Sequence, residues 1–226
     1  MTSNKEDYLK EIYHMGGLRQ NVSNKALAER LHVSPASVSE MLVKLRREGY
    51  IVYEPYAGSR LTEAGIAAAA PLLRAHQLWE VFLRRYLHYR WSEVHADAEL
   101  LEHATSPRLK KRQADFHGPP DCCPHGTPIP DEQGDLHASA IRPLSSVAPG
   151  EVVTLRQVRE DPALLDYLET LNLQLGSEIK VDAVGEYEGP LTLETAGRKL
   201  EMSYKAASQG FVDADTVDPD HITNPD

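Results

Sequence analysis

Apolar residues recur every three or four positions through the first third of the chain, with polar residues filling the gaps. In KEDYLKEIYHMG, Tyr8, Leu9, Ile12, Tyr13 and Met15 share one helical face, and Gly16-Gly17 stop the helix. Ser23 reads as an N-cap before a short helix over 25–31, with Leu27, Ala28 and Leu31 on its apolar side. His32-Val33 make a tight turn. Ser34 then caps a second helix whose first position is Pro35, where a missing N–H costs nothing. Val38, Met41, Leu42 and Leu45 face a core from that helix, and Gly49 ends it. Residues 50–53 and 59–62 read as two strands around a turn at Gly58.

Helix, short turn, helix and β-ribbon together make a winged helix-turn-helix, whose second helix enters the major groove with its N-terminal residues at the base edges. Here Ser34, Pro35, Ala36, Ser37, Ser39 and Glu40 occupy that end, while Lys44, Arg46, Arg47 and wing residue Arg60 are placed to reach phosphates. The same spacing also suits an ordinary helical hairpin with a solvated charged face. Agreement of caps, turn length, apolar spacing and wing favours DNA binding.

From Thr62 to about Arg90 the pattern is helical, bent or restarted at Pro71. Leu72, Leu73, Leu78, Trp79, Val81, Phe82, Leu83 and Tyr86 give it more apolar surface than one small domain needs, which points to a homodimer. Residues 92–113 read as one more helix, broken or capped near Ser106-Pro107, and the Pro-, Gly-, His- and Asp-rich stretch 114–146 reads as linker. Beyond Val147 a strand (152–158), a short helix opening at Asp161-Pro162 and three further strands have the rhythm of a small SH3-like β-barrel. The expected division is a DNA-binding domain over 1–65, a helical metal-binding and dimerisation domain with linker over 66–140, an SH3-like domain over 147–214 and an acidic tail over 215–226. The fold class is mainly α with a small β domain.

Net charge is −10 over 226 residues, which argues against a general polyanion binder. Its distribution alters that reading, because residues 1–75 are net +2 and the remainder net −12. A basic head binds nucleic acid locally, and an acidic body rich in histidine, of which the chain has ten in all, attracts cations. No apolar run is long enough to cross a bilayer and no signal peptide is visible, so no membrane partner is expected. Two adjacent cysteines do not make a disulfide scaffold, and a cytoplasmic location with reduced thiols follows.

The chemistry concentrates on two helices. His76 and Glu80 stand at i and i+4, and His95, Glu99, Glu102 and His103 fall on one face of the next helix. Such a face repels itself inside a bundle unless a positive charge lies among the carboxylates, and Mn²⁺, Fe²⁺, Co²⁺ or Zn²⁺ suits its donors. Asp7 is an eligible ligand from a distant segment. A solvated acidic face is the alternative. A metal-dependent hydrolase is the rival of another class, yet no HExxH, phosphate loop or nucleophile elbow is present and no catalytic residue is assigned. A regulator sensing an organic ligand leaves the acidic stripe unexplained.

The head, together with RAHQLWEVFL and ELLEHA, resembles the diphtheria-toxin-repressor and manganese-transport-regulator family of metal-dependent repressors, over about 210 residues. The whole chain is similar to its three-domain branch, the manganese- and iron-responsive repressors that add an SH3-like domain. The resemblance implies a homodimer that binds a palindromic DNA operator when loaded with Mn²⁺ (alternatives Fe²⁺ and Zn²⁺) and represses metal-uptake genes. It carries ligand roles onto Asp7, His76, Glu80, His95, Glu99, Glu102 and His103. It further implies one site made by Glu80, Cys123, His125 and Glu160, with Asp161 an alternative to Glu160 and Cys122 a bystander. Lys10 stands where two-domain manganese regulators carry a second carboxylate, which favours two separated sites. If metal selects one orientation of the DNA-binding heads, DNA and metal each raise affinity for the other.

Overall fold

The structure, a computed structural model, describes residues 3–18, 20–54, 56–118, 120–131, 134–135 and 139–214. The acidic tail expected at 215–226 lies outside them. Two compact units are present, one formed by Met1–Trp79, Ala96–Pro120 and Ile129–His137, the other by Glu80–His95, Asp121–Pro128 and Ala138–Asp226.

In the first unit, α1 (Ser3–His14), α2 (Asn24–Arg30) and α3 (Pro35–Arg47) precede a two-stranded wing, β1 (Ile51–Glu54) and β2 (Gly58–Leu61). Ser23 and Ser34 cap α2 and α3 by accepting from the backbone N–H of Ala26 and Ser37. Between those helices His32 takes a left-handed φ of 53°, which closes the turn without a glycine. The wing pairs Ile51 with Leu61 and Glu54 with Gly58, and a bridge from Val22 to Ser59 adds a third segment. A Cβ at Gly58 would run into the Val22 carbonyl, so only glycine permits that approach. Leu9, Ile12, Leu27, Val38, Leu42, Leu45, Ile51 and Leu73 form the core beneath.

The next helix, α4 (Glu63–Tyr86), runs as one element through Pro71 rather than restarting there. Leu72, Leu73, Leu78, Val81 and Leu83 are all buried within the chain, so much of its apolar surplus is consumed internally. The helix expected over 92–113 is two: α5 (Val94–Glu102) and α6 (Pro107–His117). Ser106 caps α6 by accepting from Leu109 N–H, with Pro107 at the first position. His103 therefore lies just beyond α5.

The second unit contains β3 (Ile141–Pro143), β4 (Val152–Val158), α7 (Pro162–Thr170), β5 (Glu178–Val184), β6 (Leu191–Thr195), β7 (Arg198–Met202), α8 (Tyr204–Ala207) and β8 (Gly210–Asp213). Its six strands form an antiparallel sheet in the order β3-β8-β4-β5-β6-β7. Val153, Leu155, Ile179, Val181, Leu191, Leu193 and Val212 make its core with Leu164, Leu165 and Leu168 of α7. Trp91 belongs to the same core. This is the expected small SH3-like β domain, with β3, β8 and α8 added to the elements read from the sequence.

Candidate metal centres

One cluster lies wholly in the second unit. Glu80, from the C-terminal half of α4, is fully buried, and so is His125. The segment 122–128 doubles back on itself: Cys123 N–H donates to the Thr127 carbonyl (3.0 Å) and Gly126 N–H to the Cys123 carbonyl (2.9 Å). Gly126 holds φ +85°, and a Cβ there would strike the Arg156 carbonyl. Val158 N–H donates to the His125 carbonyl (2.9 Å), fixing the loop to β4. Glu160 follows directly, two residues before α7.

The loop thereby delivers a thiol and an imidazole to the two carboxylates. His125 Nδ1 is 3.6 Å from Glu80 Oε1, 3.7 Å from Glu160 Oε1 and 3.9 Å from Cys123 Sγ. One ligand atom from each of the four residues lies within 4.8 Å of all the others. His95 Nδ1 stands at the edge, 3.6 Å from Glu80 and 3.5 Å from Glu160. Asp161 is not part of the cluster; its carboxylate accepts from Ala163 and Leu164 N–H as the N-cap of α7. Cys122 is exposed and paired through its backbone with Pro128. Both cysteines are free thiols.

Burial and the neighbouring charges set the protonation of this cluster. Burial, then the Glu80 carboxylate, pushes the Cys123 thiol up to about 12. Burial acts to lower His125, but Glu80, Cys123 and Glu160 overcome it and hold the imidazolium well above its ordinary range. Buried carboxylate, imidazole and thiol donors converging on one point fit a divalent first-row cation, which makes the thiolate the favoured form.

A second cluster lies in the first unit. Asp7 Oδ1 of α1 lies 3.0 Å from His103 Nε2, which is 3.4 Å from Glu102 Oε1. Glu102 is buried, and its other oxygen is 2.6 Å from His76 Nδ1. Lys10, one turn beyond Asp7 and only 1% exposed, places Nζ 2.6 Å from Glu102 and 2.7 Å from Glu99. Asp7, Glu102 and His103 offer ligand atoms within 4.8 Å of one another, and so do His76, Glu99 and Glu102. Burial raises the Asp7 carboxyl, with His103 and Lys10 opposing it. Burial opposes the Lys10 charge, yet Glu102 and Glu99 raise its pKa. The stripe read along 95–103 is thus divided, His95 in one cluster and Glu99, Glu102 and His103 in the other.

On the head, Ser34, Pro35, Ala36, Ser37, Glu40, Lys44, Arg46, Arg47 and Arg60 are exposed. Ser39 is half-buried, its hydroxyl donating to the Pro35 carbonyl (3.0 Å) and accepting from Asn24 (3.3 Å). Glu40 and Lys44 pair with each other at 2.8 Å.

One feature escaped the sequence reading. Trp91 flanks His125, and no periodicity marks it. Asp161-Pro162 carries an N-cap signal that already separates it from Glu160. Among the described residues no helix is long and apolar enough to cross a membrane.

Residues 1–59 match the iron-dependent repressor N-terminal DNA-binding domain, 62–131 the iron-dependent repressor metal-binding and dimerisation domain, and 142–214 the FeoA domain. The HTH-type transcriptional regulator MntR of Lysinibacillus sphaericus is 35% identical over 115 residues, 51% of this chain and 82% of that protein. The iron-dependent repressor IdeR of Mycobacterium tuberculosis is 32% identical over 165 residues, 69% of this chain and 71% of that protein. A solved manganese-dependent transcriptional repressor in complex with manganese superposes with a TM-score of 0.84 at 35% identity, over 92% of this chain and 98% of that one.

Proposed function

The chain belongs to the iron-dependent repressor family of metal-dependent transcriptional repressors, and from that premise we propose that it is a cytoplasmic, manganese-responsive repressor. It would bind a palindromic operator as a homodimer and silence metal-uptake genes. It is a DNA-binding regulator and not an enzyme.

The observation that carries the metal reading is the convergence of Glu80, Cys123, His125 and Glu160 within 4.8 Å. These four would hold one ion, with His95 beside them. Asp7, Glu102 and His103 would hold another, with His76 and Glu99 behind Glu102. Asp7 belongs to α1, against which the helix-turn-helix is built, whereas Glu102 and His103 belong to α5 and its end. Their joint ligation would therefore hold the DNA-binding head in one orientation, and a twofold pair of heads so held reads two half-sites. Glu80, the Cys123–His125 loop and Glu160 would tie α4, the linker and the SH3-like sheet into one body. Ser34, Pro35, Ala36, Ser37 and Glu40 would face base edges, with Lys44, Arg47 and Arg60 on phosphates.

Carboxylates supply two of the four donors in the first set and two of the three in the second, and favour Mn²⁺ where Zn²⁺ is held scarce, since raw affinity follows another order. The likeness to MntR and to a manganese-bound structure supports that choice. Fe²⁺ is the second reading, favoured by the Cys123 thiol and by the likeness to IdeR. Operator retention measured with Mn²⁺, Fe²⁺ or Zn²⁺ and after EDTA tests the proposal: Mn²⁺ restores specific binding and chelation abolishes it. Unchanged binding in EDTA rejects metal dependence.

A further inference from the structure

Trp91 stands on the connection between α4 and α5, yet its indole, 3% exposed, belongs to the core of the SH3-like sheet beside Leu164, Leu165 and Leu168 of α7. Around that anchor the connection meets two carboxylates of α7. Glu169 Oε1 accepts from Trp91 N–H at 3.1 Å, and Asp166 Oδ1 accepts from the Ser92 hydroxyl at 2.8 Å. Asp166 and Glu169 are three positions apart, so one face of α7 presents both. Arg90 Nη2 lies 3.1 Å from Asp166 and 3.4 Å from Glu169. Arg84, in the last turn of α4, donates to the Tyr89 carbonyl at 2.7 Å and stands 3.9 Å from Glu169. None of these contacts uses a residue of the Glu80–Cys123–His125–Glu160 cluster.

We infer that Asp166 and Glu169 are positioning residues that seat the SH3-like sheet on the α4–α5 connection without an ion, so that metal fills a site already assembled instead of gathering it. The inference rests on the reading of the Glu80–Cys123–His125–Glu160 cluster as a metal site. The path of the chain supports it. Glu80 lies one turn before Arg84 on α4, and His95 follows Ser92 by three positions. Glu160 stands just before α7, the helix that carries Asp166 and Glu169. All of these residues lie in the second unit. A seat that fixes 84–92 against α7 therefore fixes Glu80 and His95 relative to Glu160. The Arg84 and Arg90 ion pairs matter least, since their side chains are partly exposed and such pairs contribute little. The buried indole and the two bonds accepted by carboxylates beside it hold the seat. With the seat lost, metal binds only the seated fraction of chains, and apparent affinity falls by that fraction.

The test follows fluorescence in the full chain carrying Trp79→Phe, which leaves Trp91 as the one tryptophan. Acrylamide quenching of Trp91 is expected to be equally low in EDTA and in Mn²⁺. Asp166→Ala/Glu169→Ala is expected to raise quenching in EDTA and to recover shielding in excess Mn²⁺. Calorimetric titration should show its Mn²⁺ affinity at the Cys123–His125 site lowered, by about tenfold if nine-tenths of the chains are unseated. Alanine is the best helix former, so lost shielding there reports the seat and not unwinding of α7. Asp166→Asn/Glu169→Gln keeps both acceptors and is expected to restore both readings. Arg90→Ala/Ser92→Ala, which removes the contacts from the other side, gives the same reading if the first variant does not fold; circular dichroism checks each. Trp91 quenched freely in EDTA and shielded only in Mn²⁺ overturns the inference, and so does a folded Asp166→Ala/Glu169→Ala protein with unchanged shielding and affinity. Either result leaves the metal site standing. Mn²⁺ uptake unchanged by Cys123→Ala/Glu160→Ala overturns the metal site, and the inference with it.

Discussion

The indole of Trp91 lies parallel to the imidazole of His125, their planes within 5° and their centroids 6.3 Å apart. Trp91 Nε1 donates to the Pro124 carbonyl at 3.0 Å, and His125 Nε2 is 3.4 Å from the Trp91 carbonyl. The same residue's N–H donates to Glu169 of α7. With Nε2–H turned to a carbonyl, Nδ1 is left facing Glu80, Glu160 and Cys123. An outer partner of this kind fixes both tautomer and ring direction, and its loss commonly weakens metal binding about tenfold to a hundredfold.

Trp91→Phe keeps an aromatic ring in the core but deletes the bond to Pro124. Mn²⁺ affinity of the Cys123–His125 site should fall, by less than the roughly tenfold that loss of an outer partner costs because the Trp91 carbonyl facing His125 Nε2 is kept, with little change in secondary structure. Calorimetric titration of the variant checks this; wild-type affinity would show that the loop orients His125 unaided. Trp91→Ala is the wrong probe, because emptying a buried indole costs about 3–5 kcal/mol and confounds folding with binding.

The adjacent cysteines should behave very differently. Cys123 is buried with Sγ 3.4 Å from the His125 N–H, whereas Cys122 is exposed. Cys123→Ser should weaken the site by more than the roughly tenfold to hundredfold that loss of an outer partner costs. Cys122→Ser should leave it near wild type. Equal effects in a Mn²⁺ titration of the two variants would reject Cys123 as a ligand.

Metal loading should also release protons. In the metal-free cluster the Cys123 thiol is pushed up to about 12, so it is protonated at every ordinary working pH. The His125 imidazolium is held well above its usual range by Glu80, Cys123 and Glu160. Protons compete with the cation for both atoms, so affinity rises with pH. Release from Cys123 persists across the neutral range, while the share from His125 disappears as pH passes above its raised pKa. Titrations in buffers of different ionisation enthalpy measure the number released, and its absence would mean that neither atom is a ligand.

The head was legible because caps, apolar spacing and turn residues all agree there, from Ser23 and Ser34 to Gly58. The stripe from His95 to His103 was legible only as a pattern. Its division into two clusters depends on where α5 ends and on which distant segments meet it, and periodicity contains neither. Lys10 stands on the same helix as Asp7, one turn away, yet nothing in its spacing shows that Nζ reaches across 92 positions to Glu102. β3 and β8 are only three and four residues long and pair with each other across the whole β domain, so short-range alternation could not mark them. Glu160 and Asp161 were distinguishable in principle, because Asp before Pro at a helix start is a capping pattern.

The basic residues of the head give the last expectation. Arg47 and Arg60 are exposed and at different ends of the helix-turn-helix unit, one at the C-terminal turn of α3 and one on the wing. Lys44 differs, since it already pairs with Glu40 at 2.8 Å and has less charge to offer a phosphate. Removing a phosphate contact weakens binding to all sequences alike and lowers the salt slope by about one. Arg47→Ala and Arg60→Ala should each do so in the Mn²⁺-loaded protein. Lys44→Ala should lower the slope less, because Lys44 is already paired with Glu40 and makes less than a full phosphate contact. Operator binding measured across a range of salt, with a scrambled duplex alongside, distinguishes these outcomes. A change in operator preference at constant salt slope would instead assign Arg47 or Arg60 to the base edges.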